Sequence, residues 1–121
     1  MSETDVVQSI LVALSANDCL VWRHNSGGLY ETYPTGQMIG GRPTYFRGRL
    51  VHVGLEGSPD VIGFHRANGL FVGIEAKKPH GGVVSERQRL FGAQALASPV
   101  IYGVARSDDE ALSILTQHQR R

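Results

Sequence analysis

The sequence predicts an α/β fold in which a mixed central β-sheet is flanked by helices. Apolar stripes at helical spacing lie near both ends of the chain, and two short apolar runs separated by a turn signal lie between them. A hairpin followed by a helical crossover to another strand gives a sheet with antiparallel and parallel pairs. The chain has 121 residues, of which 41% are apolar, so residues 1–121 are predicted to form one domain.

Composition excludes several classes of protein. No stretch approaches the length of a membrane span, and no charged-then-apolar leader is seen, so we expect a cytoplasmic protein. The lone Cys19 lies in an apolar run and is predicted to be a small core residue. No Cys/His spacing indicates zinc.

The first predicted element is a helix over residues 3–15, because Val7, Ile10 and Leu14 recur at helical spacing. Glu3 lies on the same stripe, whereas Asp5 lies on the opposite side and is expected to be solvated. An acid on an apolar stripe at a helix start is either an end residue favoured by the helix dipole or an inward-facing ligand.

Residues 19–24 are predicted to form a strand and residues 43–53 a short ribbon. Residues 25–42 between them are rich in Gly, Ser, Thr and Pro, which indicates a long loop. Such loops are usually functional or disordered. This one has more apolar side chains than a solvated linker needs, so we expect a partner subunit to bury some of them: Tyr30, Tyr33, Met38 and Ile39.

A β-hairpin is predicted around the turn signal Arg66-Ala67-Asn68-Gly69. If residues 66–69 all form the loop, Asp60 lies opposite Glu75. If the loop is Asn68-Gly69 alone, Asp60 lies opposite Lys77 instead. In either register the two carboxylates are close neighbours, and Glu75 shares one strand face with Lys77.

A helix is predicted from Ser85 to about Leu96, because Ser85 and Gln88 form a capping-box signature. A strand over residues 100–104 and a C-terminal helix opened by Ser107 and Glu110 follow. Gln88 has two interpretations: it reaches back to cap the helix, or it is a functional residue that points at a metal site and orients Lys77, water or phosphate.

The carboxylate pair suits a divalent metal, since Mg²⁺ binds one or two carboxylates together with waters and substrate phosphates. The metal would polarise a phosphodiester and lower the pKa of a bound water. Lys77 would hold the attacking water or stabilise charge on phosphorus. The alternative is an ordinary salt bridge at the end of a hairpin.

Three segments in order, Ser58-Pro59-Asp60, Glu75-Ala76-Lys77 and Ser85-x-x-Gln88, resemble the VRR-NUC family of the PD-(D/E)xK nuclease superfamily. The likeness runs from the first helix to about Val104. It departs mildly at Ala76, where a larger β-branched residue is more usual. The resemblance implies a restriction-endonuclease-like core.

The resemblance also implies an activity, a metal-dependent endonuclease that uses Mg²⁺ or Mn²⁺. Asp60, Glu75, the carbonyl of Ala76 and Glu3 would bind the metal, and Lys77 and Gln88 would complete the catalytic set. Free-standing members of this size resemble Holliday junction resolvases, which implies a homodimer that cuts branched DNA. The alternatives are a nickase or flap endonuclease of DNA repair or phage replication, and a DNA-binding module without catalysis.

The basic residues give the predicted DNA contacts. Net charge is only +1, but residues 42–52 and 77–89 concentrate basic side chains on both sides of the carboxylate motif. Basic residues interleaved with aromatics suit phosphate contact with base stacking, although each segment alone also reads as a solvated surface. The candidates are Arg42, Arg47, Arg49, Lys78, Arg87 and Arg89.

Overall fold

The structure is a computed structural model that describes residues 1–24 and 27–119. Its elements in chain order are α1 (Glu3–Ser15), β1 (Cys19–Arg23), β2 (Gly27–Ile39), β3 (Arg42–Val53), β4 (Val61–His65), β5 (Phe71–Ala76), α2 (Glu86–Leu96), β6 (Ile101–Ala105) and α3 (Asp108–Gln119).

Four of the strands form a mixed sheet in the order β1-β4-β5-β6. The pairs β1–β4 and β4–β5 are antiparallel, and β5–β6 is parallel because α2 provides the crossover between them. The predicted α/β fold with a mixed central sheet flanked by helices is therefore confirmed.

Two glycines show that the helices cover both faces of this sheet. A Cβ on Gly103 of β6 would lie 2.4 Å from Ile114 Cδ1 on α3. On the other face, a Cβ on Gly92 of α2 would lie 2.9 Å from the ring of Tyr102. Tyr102 and Gly103 are adjacent in the strand and so point to opposite faces. The helices α2 and α3 therefore lie on opposite sides.

The apolar core lies between the sheet and the pair α1 and α3. Val72, Ile74 and Ala76 alternate along β5 and are fully buried there, against Ile10 and Leu14 of α1. On the other face of β5, Phe71 at the start of the strand is exposed, whereas Gly73 and Glu75 are buried. The strand therefore places Glu75 in a dry environment. Cys19 is buried in the same core, as predicted.

The start of α1 has a capping box. The Ser2 hydroxyl accepts from the backbone N–H of Asp5 at 3.1 Å, and the Asp5 carboxylate accepts from the N–H of Ser2 at 2.9 Å. The hydrogen bonds that the Asp5 carboxylate accepts from the N–H and the hydroxyl of Ser2 lower the pKa of Asp5. Asp5 is exposed as expected, but it caps the helix instead of being merely solvated.

The predicted long loop is wrong. Residues 27–39 form β2, which pairs antiparallel with β3 to make a separate two-stranded sheet, called here the ribbon. Both strands of a ribbon are edges, so Pro34 and several glycines can occupy them without costing a buried hydrogen bond. Of the predicted loop, residues 25 and 26 lie outside the described residues.

No helix in the described part of the chain combines the length and the apolar character that crossing a membrane requires.

Candidate active site

The β4–β5 register decides between the two predicted hairpins. Val61 pairs with Ile74, and Phe64 pairs with Phe71, so Asp60 lies level with Glu75. The longer loop of residues 66–69 is therefore the observed one, and the tight-loop alternative is wrong. The Asn68 side chain explains the choice, because its Oδ1 accepts from the N–H of Leu70 at 2.9 Å.

Asp60 is fixed by the strands on either side of it. Its carboxylate Oδ2 accepts from the backbone N–H of Ala76 at 2.9 Å. Its backbone carbonyl accepts from the N–H of His24 at 2.6 Å, beyond the end of β1. The backbone of Asp60 thus continues the pairing of β1 with β4 by one residue, and its side chain bonds to the end of β5.

Glu75 is the most deeply buried charged group of the site, with its side chain 1% exposed. Its Oε1 accepts from Gln88 Nε2 at 2.7 Å and lies 3.8 Å from Lys77 Nζ. Its Oε2 is buried and has no hydrogen-bond partner among the described residues. One oxygen of this carboxylate is therefore anchored, and the other is left without a donor.

The pKa of Glu75 is raised to about 9, chiefly by burial and then by the neighbouring Asp60 carboxyl, whose influence exceeds the opposing influence of Lys77. Two ionised carboxylates have no donor between them, so a hydrogen bond from one to the other requires one proton. Without a cation, Glu75 accordingly keeps its proton at neutral pH. Burial also raises the pKa of Tyr102, with the acidic pair adding to the effect.

Gln88 caps the helix, as predicted, and also contacts the acid pair. Its Oε1 accepts from the N–H of Ser85 at 2.9 Å, and the Ser85 hydroxyl accepts from the N–H of Gln88 at 3.2 Å. The amide Nε2 remains free to donate to Glu75. A glutamate would satisfy the cap equally well, but only the amide brings a donor to the carboxylate.

Lys77 is held by the main chain and covered by a turn. It is buried, and its N–H donates to the carbonyl of Ala105 at 3.0 Å, which extends the parallel pairing beyond β5. Arg106 fastens the covering turn, because its guanidinium donates to the carbonyls of Lys78 at 2.9 Å and Gly82 at 2.6 Å. Sequence reasoning missed Arg106, since no motif connects it with Lys77.

The loop before Asp60 packs tightly on the start of α2 at Gly57. A Cβ there would lie 2.3 Å from the backbone oxygen of Arg87, and the residue has φ +86°. Only glycine fits such a position without strain. The Arg87 guanidinium lies 2.9 Å from the Glu56 carboxylate and adds a second contact between loop and helix.

Glu3 differs from the two buried or half-buried acids of this cluster in its exposure. It is exposed in the first turn of α1, and its charge is the smallest of the influences that shift the pKa of Glu75. Within residues 1–24 and 27–119, no group of three or more His, Cys, Asp or Glu side chains is arranged to hold a metal. The site brings together Asp60 and Glu75, and the assignment of Glu3 as a ligand stays a prediction.

The predicted DNA-contacting residues are spread over the molecule, and most of them already have partners. Arg49 pairs with Glu31 at 2.8 Å, and Arg89 pairs with Glu86 at 3.0 Å, in the same manner as Arg87 with Glu56. Arg47 lies 4.2 Å from the ring centroid of Tyr30. Lys78 and Arg42 are exposed. Exposed ion pairs contribute only about 0–1 kcal/mol, so these arginines can exchange an acid for a phosphate.

Comparison with protein-family models, with curated proteins and with solved structures finds no match for this chain.

Proposed function

We propose that this protein is a Mg²⁺- or Mn²⁺-dependent endonuclease that hydrolyses DNA phosphodiesters. The observation that carries the proposal is the buried Oε2 atom of Glu75, which lies beside a second carboxyl group and to which no N–H or hydroxyl of the described residues donates. Burying a charge costs several kcal/mol unless it is compensated, and an apolar residue at this strand position would be more stable. An acid pair kept at such a position is explained by a cation that binds it.

The donor set fits a hard divalent ion. Mg²⁺ is commonly bound through one or two carboxylates together with waters and substrate phosphates. Asp60 and Glu75 offer the carboxylate oxygens, and the carbonyl of Ala76, the residue after Glu75, is the proposed third ligand. When bound, such an ion polarises a phosphodiester and lowers the pKa of water in its shell.

The surrounding residues have separate tasks in this proposal. The Ala76 N–H and the Gln88 amide each hold one oxygen of the two carboxylates, which leaves the remaining oxygens for the ion. Lys77 carries the positive charge nearest to the acids and would stabilise negative charge that develops on phosphorus. Its burial under the turn that Arg106 fastens strengthens that effect, because water screens it less.

The element order supports the finer assignment to a VRR-NUC-like nuclease domain over residues 1–121 with a restriction-endonuclease-like core. A helix precedes an antiparallel set of three strands, and a second helix then crosses to a parallel strand. Asp60, Glu75 and Lys77 meet at the end of the central pair, and Ser85-x-x-Gln88 opens the crossover helix. Because the proposed substrate is DNA of a bacterial cell or its phage, we place the enzyme in the cytoplasm.

Branched DNA, such as a Holliday junction, is the proposed substrate, cut by a homodimer. A junction cut symmetrically requires two active sites, and one chain supplies one. A nickase or flap endonuclease is the alternative that a monomer would favour. A DNA-binding module without catalysis would have no use for two acids beside a phosphate.

The experiment is a cleavage assay on labelled linear duplex, flap, nicked and four-way junction DNA, with Mg²⁺, with Mn²⁺ and with EDTA. We expect cleavage that requires the metal and that favours a branched substrate. Sedimentation of the same sample distinguishes dimer from monomer. Failure to cut any of these DNAs with either metal would contradict the nuclease proposal.

A further inference from the structure

The two faces of the ribbon differ in chemistry. The first, called here the Glu31 face, carries Leu29, Glu31, Tyr33, Ile39, Phe46 and Arg49. The second, called here the Arg47 face, carries Tyr30, Pro34, Met38, Tyr45, Arg47 and Leu50. Pairing register and alternation along the strands assign these positions, with a bulge in β3 between Arg47 and Leu50.

The Glu31 face satisfies its own polar groups. The Glu31 carboxylate accepts from Arg49 at 2.8 Å and from the hydroxyl of Tyr33. Both hydrogen bonds lower the pKa of Glu31. The ring of Tyr33 stacks on Phe46 at 5.4 Å between centroids and covers Gly48, where a Cβ would lie 2.3 Å from it. The acid of this face is therefore satisfied by contacts within one chain, although Leu29, Tyr33, Ile39 and Phe46 are 58%, 44%, 70% and 54% exposed.

The Arg47 face differs from the Glu31 face in its charge. Tyr30, Met38 and Tyr45 are 48%, 62% and 58% exposed, and the apolar side chains of the Glu31 face are exposed as well. None of the described side chains on this face is acidic, so no carboxylate of this face pairs with Arg47. Its guanidinium instead lies over the ring of Tyr30, whose electron-rich face attracts a cation. A two-stranded ribbon by itself is marginally stable in water. A ligand that covers aromatic rings and neutralises one cation would complete it.

The base of the ribbon adjoins the candidate active site. β2 begins at Gly27, shortly after His24, whose N–H donates to the carbonyl of Asp60. β3 leads directly into the loop that ends at Asp60. At about 3.3 Å per residue, Tyr30 lies roughly 10 Å along the strand from Gly27. A strand of DNA with its phosphate at Asp60 can therefore continue onto this face.

We propose that the Arg47 face binds unpaired nucleotides of the DNA substrate next to the scissile phosphate. The inference rests on the proposed nuclease function and names the part of the substrate that the ribbon holds. Bases stack on Tyr30 and Tyr45 without regard to sequence, as on other single-strand platforms. A base on Tyr30 displaces the Arg47 guanidinium, which then pairs with the adjacent phosphate.

A second copy of the chain fits this face less well than DNA. A two-fold interface centred here would bring Arg47 of one copy toward Arg47 of the other. The described side chains of the Arg47 face include no acid, so neither copy could pair with these two cations. Like charges placed in this way are destabilising. Nucleic acid instead supplies both the aromatic surface and the negative charge.

The test is fluorescence anisotropy with a labelled dT oligonucleotide of about 12 nucleotides, a length within the range that single-strand-binding domains cover. Binding is measured in EDTA, so that no DNA is cut. Tyr30→Leu with Tyr45→Leu keeps apolar area but removes both rings. The matched control on the other face is Tyr33→Leu with Phe46→Leu, and the rescue variant is Tyr30→Phe with Tyr45→Phe.

We expect the Tyr30/Tyr45 leucine variant to bind at least about 25-fold more weakly, at about 5-fold or more for each lost stacking platform. The phenylalanine variant and the control on the Glu31 face should stay within about twofold of the wild type. Unchanged affinity in the leucine variant would overturn the proposal, and so would an equal loss in the control.

Sedimentation of the same variants tests the other occupant. If the leucine variant turns a dimer into a monomer while its oligonucleotide affinity is unchanged, the face belongs to a second copy and the proposal is overturned. Because binding is measured without metal, a wild type that cuts no DNA would contradict the nuclease proposal alone. The inference about the ribbon is decided by the anisotropy.

Discussion

The end of β5 and the ribbon place charged groups in opposite surroundings. At β5, Glu75 is sealed between α2 and the sheet, and one of its oxygens lacks any donor among the described residues. On the ribbon, Arg47 lies in solvent against a single tyrosine ring. A buried acid pair selects a small, hard cation because little else fits and compensates it. An exposed row of rings and a cation selects an extended, anionic polymer.

The comparison predicts that changes at β5 affect chemistry and changes on the ribbon affect affinity. The largest effect is expected for Asp60→Asn, which removes one of the two acids that the proposed ion requires. Cleavage of branched DNA should be abolished, while DNA binding in EDTA is retained or strengthened because one charge that repels phosphate is gone. Gel-based cleavage and anisotropy measure the two quantities. A variant that cuts at near-native rate would break the assignment of the acid pair.

The next largest effect is expected for Lys77→Ala. Losing one preorganised group that stabilises the transition state costs about 10²- to 10³-fold in rate, and single-turnover cleavage at saturating enzyme isolates that step. Arg66→Ala is the control, because Arg66 is an exposed cation on the hairpin loop at the other end of β4. Equal losses in the two variants would mean that general positive charge, and not the position of Lys77, governs the rate.

Two substitutions of Gln88 distinguish its contribution to the stability of α2 from its contribution to the geometry of the acid pair. Gln88→Ala should lower the free energy of unfolding by about 1 kcal/mol, because it loses the cap interaction and the bond to Glu75. Gln88→Glu retains the capping acceptor but puts a third acid beside Glu75 in place of a donor. We expect Gln88→Glu to lower the cleavage rate clearly while it changes the free energy of unfolding little. Urea unfolding and single-turnover rates decide, and full activity in Gln88→Glu would show that the amide serves the helix only.

The smallest effect is expected for Glu3→Gln. Because Glu3 is exposed at the start of α1, its charge should contribute about 0.3–1 kcal/mol to stability through the helix dipole. Cleavage and Mn²⁺ affinity should stay within about twofold of the wild type. Asp5→Asn is the comparison, since it weakens a capping box and should affect stability at least as much. A marked fall in Mn²⁺ affinity for Glu3→Gln alone would instead make Glu3 the third carboxylate of the site.

The sequence predicts those parts of the fold that local chemistry determines. The hairpin and the caps of α2 and α3 follow from side chains that act within four residues of one another, such as Asn68 with Leu70, or Ser85 with Gln88. The same local reasoning could have found the cap of α1, since Ser2 and Asp5 have the required spacing. The pairing of Asp60 with Glu75 or with Lys77 could be narrowed to two registers, because the turn signal fits a loop of residues 66–69 or of Asn68-Gly69 alone.

Other features depend on contacts between distant segments. Gly and Pro indicate a loop in residues 27–39, but an isolated ribbon has two edges and tolerates both residues. The covering of Lys77 depends on Arg106, which is distant in the sequence from the turn it fastens. The bulge in β3 decides which β3 side chains share a face with those of β2. Alternation along β2 places Tyr30 and Met38 on one face and Tyr33 and Ile39 on the other, so a subunit packed on one face could cover only half of the side chains predicted to be buried together.

The central claim is that a divalent cation binds between Asp60 and Glu75. Because the pKa of Glu75 is raised to about 9, the metal-free protein holds a proton there at pH 7.5, and a cation must displace it. Metal affinity should therefore rise with pH up to about 9. Titration calorimetry with Mn²⁺ at pH 7.5, in buffers of different ionisation enthalpy, counts the released protons. We predict about one proton released for each ion bound, and loss of both binding and release in Glu75→Gln. No binding by the wild type, or equal binding by Glu75→Gln, would contradict the account.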